Sequence, residues 1–272
     1  MAAYYSNGPI KFHYSDEGKG NPLVFLHGLG ADLDQSKEMI QRVSGYRKIT
    51  MDFRGHGKTV RFMAERDASM QVFCMDLFNL LQYLKIDSCA LGGISLGAAI
   101  GLKFTLLYPE MVARLALVRP AWLNEPDAQH FRLLKLAHDY IQKYGVTTGK
   151  EYFEENPEYR EAKKLFPAYA SSLLGHFSRP QANTSYPMLK HLPEDVPFGE
   201  MDELTHIEIP TLLVATENDP LHPLAYAKKL SGQLPSSELK IITSKYLHPK
   251  EHLKECQSQL VDFFGNGRKN SS

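Results

Sequence analysis

The sequence predicts an α/β fold: a mostly parallel sheet with helices on both faces and a helical cap inserted late in the chain. Three observations predict it. Short apolar runs alternate with helix-length amphipathic segments from Ile10 to Val118, and the strand pattern returns at Thr211. Between them, residues 121–205 are rich in Tyr, Phe, His and Pro, keep a helical periodicity and hold no clear strand. The run Ser88–Leu91 leads directly into Gly92-Gly93-Ile94-Ser95-Leu96-Gly97 and then into a helix of small residues. The expected division is a core of residues 1–120 and 206–265, a cap of residues 121–205, and a polar, glycine-rich tail at 266–272 that should be disordered.

The elements follow in order. Ile10–Tyr14 alternates apolar and polar residues, as a strand of an edge hairpin does, and Asp16–Asn21 is a turn cluster. Pro22–Leu26 reads as a buried strand and Lys48–Met51 as another. Within residues 66–85, Phe73, Leu77, Leu80, Leu81 and Leu84 share one helical face. Residues 96–107 form a buried helix with Pro109 just past its end, and Leu115–Val118 is the next strand. After the insertion come strands at Thr211–Ala215 and Leu239–Ile242, then a last helix from Pro249 to Phe264.

Composition narrows the class. At 272 residues the chain can bury a core without staples. Its formal net charge of +0 offers no basic surplus for nucleic acid or an anionic membrane surface. Cys74, Cys89 and Cys256 have no paired spacing, so neither a disulfide framework nor a zinc site is expected. The start, MAAYYSNGPIKF, lacks a basic segment followed by an apolar one, and no apolar stretch approaches ~20 residues. The expectation is a cytoplasmic protein with no membrane span, acting on a small molecule.

Gly93-Ile94-Ser95-Leu96-Gly97 matches G-x-S-x-G. Placed between a strand and a helix, it reads as a nucleophile elbow with Ser95 exposed on a sharp turn. Gly93 and Gly97 flank the turn because side chains there would clash with the neighbouring strand and helix. The start of the following helix supplies a positive dipole end and free N–H groups, which suits an oxyanion.

Together with His27-Gly28-Leu29-Gly30 after one strand and Asp52-Phe53-Arg54-Gly55-His56-Gly57 after the next, this elbow resembles the α/β-hydrolase superfamily. The similarity lies with its branch of small esterases, lactonases, carbon–carbon hydrolases and cofactor-free haloperoxidase-like enzymes. It covers roughly residues 8–120 and 206–264 and leaves out the insertion. The resemblance implies a Ser-acid-His order along the chain. It implies Asp219 as the acid, in Thr216-Glu217-Asn218-Asp219-Pro220, with Glu217 as nearest rival and Asp127 late for the alternative place after Val118. The histidine is expected past the last strand, which implies His248, with His252 one turn further on as rival. Neither follows a glycine, a departure from the family pattern. The oxyanion hole is implied at the backbone N–H groups of Leu29 and Leu96. His27 is implied to orient its loop and to stand beside the substrate pocket. Asp52, Arg54 and His56 read as a bonded loop supporting that side.

Trp122 is a candidate for the pocket wall or an anchor for the cap. Arg119 either meets a substrate carboxylate or serves as a buried ion-pair partner. The function expected is a serine hydrolase acting on a small carboxylic ester or lactone through an acyl-enzyme, with no metal or organic cofactor. The elbow serine argues against relatives that use an aspartate there. Alternatives are a carbon–carbon hydrolase or perhydrolase with the same triad, and a non-catalytic small-molecule receptor of the same fold.

Overall fold

The central strand runs are apolar at nearly every position, which suits strands covered on both faces. The computed structural model describes residues 2–59, 64–127 and 129–265. Its eight strands form one sheet: β1 (Ala2–Asn7), β2 (Ile10–Gly18), β3 (Asn21–Leu26), β4 (Tyr46–Met51), β5 (Cys89–Ile94), β6 (Val112–Val118), β7 (Thr211–Thr216) and β8 (Ser237–Ile242). Their order is β1-β2-β4-β3-β5-β6-β7-β8. β1 and β2 run antiparallel to their neighbours, and every pair from β4 to β8 is parallel. The outermost strand is β1, which the sequence reading leaves out; its partner β2 is the strand expected at Ile10.

Ten helices are described: α1 (Leu33–Ile40), α2 (Met70–Tyr83), α3 (Leu96–Leu107), α4 (Arg132–Glu155), α5 (Pro157–Leu165), α6 (Pro167–Ser178), α7 (Ala182–Ser185), α8 (Met188–Glu194), α9 (Leu224–Gln233) and α10 (Pro249–Gly265). The two-residue period of the strands sorts the core. Leu23, Phe25, Ala90, Ala116, Val118, Leu212 and Val214 meet Met39 and Ile40 of α1 and Cys256, Leu260 and Phe264 of α10. Val24, Leu26, Leu91, Leu115, Leu117 and Leu213 face the other way, onto Phe73 and Leu77 of α2, Ile100 and Phe104 of α3 and Leu230 of α9.

Among the described residues, the stretch between β6 and β7 contributes no strand to the sheet. Its helices α4–α8 pack on one another through Leu134, Ile141, Phe153, Leu173, Phe177 and Leu192. α4 is broken at Gly145, whose φ of 75° leaves the helical region. The stretch is tied to the core by the Met70 N–H, which donates to Asp195 at 2.6 Å, and is held together within itself by Trp122 Nε1, which donates to the Leu192 carbonyl at 3.0 Å. The expected tail at 266–272 lies outside the described residues. No described helix is long and apolar enough to cross a membrane.

The approach of α3 to β3 sets how close the elbow lies to the sheet. A Cβ added at Gly97 would stand 2.6 Å from the Leu26 carbonyl carbon and 2.8 Å from the His27 carbonyl oxygen. Gly97→Ala should therefore cost about 1–3 kcal/mol through overpacking. Gly232→Ala, on α9 with nothing within 4 Å of the added carbon, should gain up to about 1 kcal/mol. Urea unfolding of both variants checks this. Equal midpoints would contradict the packing argument.

Candidate active site

Three adjacent strands reach the same edge of the sheet, and each is followed by a residue with positive φ: Ser95 at 55° after β5, Arg119 at 50° after β6 and Asn218 at 54° after β7. Non-glycine residues rarely adopt this conformation, at a cost of about 1–3 kcal/mol each. Two of them are held by the neighbouring strand. The Ser95 N–H donates to the Val118 carbonyl at 2.9 Å, and the Arg119 N–H to the Val214 carbonyl at 2.7 Å. Ser95 sits at the N-cap of α3, yet its side chain makes no capping bond. Its hydroxyl is turned out of the helix end.

That hydroxyl meets a histidine, but not the one expected. The structure does not bring His248 to Ser95. The backbone turn after β8 closes with the His248 N–H donating to the Ser244 carbonyl at 3.0 Å, and this leaves the His248 side chain exposed at the start of α10. His252 is buried instead against the Thr243 carbonyl, 2.9 Å from its Nδ1, and Cys256, 3.5 Å from its Nε2. The ring beside Ser95 is His222, whose Nε2 lies 2.9 Å from Ser95 Oγ.

His222 Nδ1 lies 3.0 Å from Asp219 Oδ1 and 2.8 Å from Arg119 Nη2. It can serve one of these partners. A carboxylate oxygen only accepts, so the proton on Nδ1 points to Asp219 and Nε2 is left to accept from the serine hydroxyl. Asp219 Oδ1 also takes the N–H groups of Leu221 and His222, both at 3.1 Å, which fixes the turn joining acid and ring. Its Oδ2 takes Arg119 Nε at 2.8 Å. From the far side His130 Nε2 lies 2.7 Å from the Leu221 carbonyl and donates to it. Arg119 is thus the buried ion-pair partner of Asp219.

The electrostatics follow. Burial pushes the Asp219 carboxyl up, but His222 and Arg119 outweigh it, and the group is held well below the usual carboxylate range. For His222, burial and then the Arg119 charge lower the pKa to about 4, against the opposing pull of Asp219. The ring is neutral throughout the physiological range.

The other wall is built by two reciprocal histidine bonds. His27 Nε2 accepts the Phe53 N–H at 3.0 Å, while its Nδ1 donates to the Gly28 carbonyl at 2.8 Å. His56 Nε2 accepts the Gly30 N–H at 3.0 Å. Gln35 Oε1 takes the Gly28 N–H at 2.8 Å. Among the described residues the Leu29 N–H, between these two, has no acceptor in the protein. Leu96 opens α3, where N–H groups lack intrahelical partners. Asp52 binds the N–H groups of Leu33 and Lys58 at 2.7 Å, and Arg54 binds both oxygens of Asp76, so this loop is bonded throughout.

A cavity of about 220 Å³ opens on Ser95. The Gly28–Ala31 turn and Gln35 line one side, Ser172, Gly175 and His176 of α6 another, and Arg119, Leu221, His222, Lys245 and Tyr246 the rest. Neither His27 nor Trp122 lines it. The His27 ring is enclosed by the two backbone groups it bonds. Trp122 is packed against Phe131 at 4.7 Å between ring centres and bonded to Leu192, so it anchors the helices. His222 carries one sequence signal that the family order does not single out: it stands three residues after Asp219 on a turn after a strand. Lys245, Tyr246 and Gln35 carry none.

Residues 21–249 match the sequence model of the α/β-hydrolase fold. The chain belongs to the α/β-hydrolase fold family. It is 25% identical over 247 residues to the AB hydrolase superfamily protein YisY of Bacillus subtilis (strain 168), covering 85% of this chain and 86% of that protein. Among solved structures it is similar to MGS-M2, an α/β-hydrolase enzyme from a Medee basin deep-sea metagenome library, with a TM-score of 0.76, 20% identity and 97% of each chain covered. The esterase EaEST from Exiguobacterium antarcticum superposes with a TM-score of 0.74 at 21% identity, over 97% of this chain and 100% of that one. These relatives carry the names of hydrolases and an esterase, and this member of the family is an α/β-hydrolase-type enzyme.

Removing Arg119 tests the cluster. Arg119→Met leaves Asp219 buried without its cation, which should cost about 3 kcal/mol in urea unfolding. It should also raise the His222 pKa, because the guanidinium charge lowers it, and imidazole NMR titration reads that shift. A pKa that stays or falls would contradict the geometry.

Proposed function

We propose that this enzyme hydrolyses a small carboxylic ester or lactone with Ser95 as nucleophile, His222 as base and Asp219 as the residue that orients it. The observation that carries the reading is the continuous chain Ser95 Oγ, His222 Nε2, His222 Nδ1, Asp219 Oδ1, with contacts of 2.9 and 3.0 Å. His222 takes the hydroxyl proton as Oγ attacks the acyl carbon. The negative charge on the carbonyl oxygen is met by the N–H groups of Leu29 and Leu96. Collapse expels the alcohol, which receives the proton from His222, and leaves the acyl group on Ser95. Water repeats the sequence and frees the acid. Asp219 stays ionised, holding the tautomer and balancing the imidazolium. Residues 121–205 act as a cap over this edge, with α6 supplying a wall of the cavity.

A fluorophosphonate probe should label Ser95 in the wild type and fail on Ser95→Ala. On short p-nitrophenyl esters, His222→Gln should lower kcat roughly a thousandfold or more, while His248→Gln should keep it within about twofold. Loss of activity in His248→Gln with retention in His222→Gln would sink the assignment. A wild type that binds small esters without labelling or turnover would be a receptor.

The neutral His222 is the active form, and its pKa is lowered to about 4. The acid limb of kcat/KM should therefore fall near pH 4, with activity flat through about 6.5, where an unperturbed histidine titrates. A pH–rate profile decides it: an acid limb at the ordinary histidine value would contradict the burial argument.

A further inference from the structure

The loop expected to carry the base presents Lys245 and Tyr246 to the cavity instead. Two cationic residues, Arg119 and Lys245, line that cavity, and among the described residues no Asp or Glu does. Arg119 is satisfied by Asp219 behind the wall. Lys245 is not satisfied: among the described residues it makes no hydrogen bond or ion pair, and its ammonium lies 5.9 Å from the centre of the Tyr246 ring. A half-buried ammonium has given up hydration here for a ring face and the more distant charge of Asp219, with no hydrogen-bond acceptor, and an arriving anion would supply one. Burial first and Arg119 second lower its pKa to about 8, so it is still mostly charged at neutral pH. The turn closed between Ser244 and His248 fixes the backbone on either side of it.

We propose that Lys245 is a carboxylate anchor, and that the enzyme takes esters or lactones of small acids carrying a second, free carboxylate. The inference rests on the hydrolase reading above and names its substrate class. One oxygen of that carboxylate accepts from Lys245 Nζ while the acyl carbon stands at Ser95 Oγ. The cavity, at about 220 Å³, has room for a short-chain acid.

The test uses the full-length protein and a matched pair: monoethyl glutarate, and ethyl 4-nitrobutanoate, in which a neutral nitro group has the shape of the carboxylate. A charge-assisted bond predicts that kcat/KM favours the anion by about tenfold or more, carried by KM. Lys245→Met should remove most of that preference and Lys245→Arg should keep it, with unfolding midpoints showing both variants folded; Lys245→Gln replaces the first if it does not fold. No preference in the wild type, or a preference that survives in Lys245→Met, overturns the proposal. Binding of glutarate to Ser95→Ala, by calorimetry, separates the two readings. Binding that needs Lys245 supports the anchor even where no ester is turned over, an outcome that would overturn only the hydrolase reading. Absent binding together with intact ester turnover overturns only the anchor.

Discussion

The Ser95 amide donates to the Val118 carbonyl just beyond the last paired residues of β5 and β6, and the site hangs on that bond. A serine with φ of 55° would relax if its backbone were free. The parallel ladder keeps it from doing so. The same device recurs one strand over, where Val214 holds Arg119. Two strained residues are thus fixed side by side by sheet hydrogen bonds. Their side chains turn toward one point above the strand ends, Ser95 Oγ to His222 Nε2 and Arg119 to His222 Nδ1. Gly93 and Gly97 let α3 come close enough to keep the elbow tight.

Arg119 connects this backbone arrangement to charge. Its guanidinium sits on the buried Asp219, so it permits an ionised carboxylate under the candidate histidine. After burial, it is the second influence that keeps that histidine neutral. Its charge lowers the pKa of both groups, which favours an ionised acid beside a neutral ring. One side chain therefore bears on both the stability of the buried cluster and the protonation of the ring.

Much of this was legible in the sequence. The core strands and the helices α2, α3 and α10 announce themselves through apolar runs and a helical face, because burial on two sides or one leaves a periodic trace. The elbow is legible because its glycines answer to a steric demand. Asp219 stands where the family order puts the acid. β1 was hidden: a strand paired on one side only, with half-exposed tyrosines, needs no apolar pattern. The histidine was hidden for another reason. Order along the chain predicts His248, but which ring reaches Ser95 depends on how two loops turn, and those turns are set by bonds such as Asp219 to the Leu221 and His222 amides. Lys245 was unreadable, since an exposed lysine and a half-buried one look alike in a sequence.

The proximity of Asp219 and His222 has a consequence for how the molecule can change. Three residues apart on one turn, bonded by His130 from outside, the proposed acid and base belong to a single short insert. In an arrangement that draws them from two loops, every alteration of the second loop risks the proton path. Here the segment after β8 touches the cavity without supplying the proposed base. On that proposal, a change of charge in this segment would alter selectivity and leave the proposed acid and base in place.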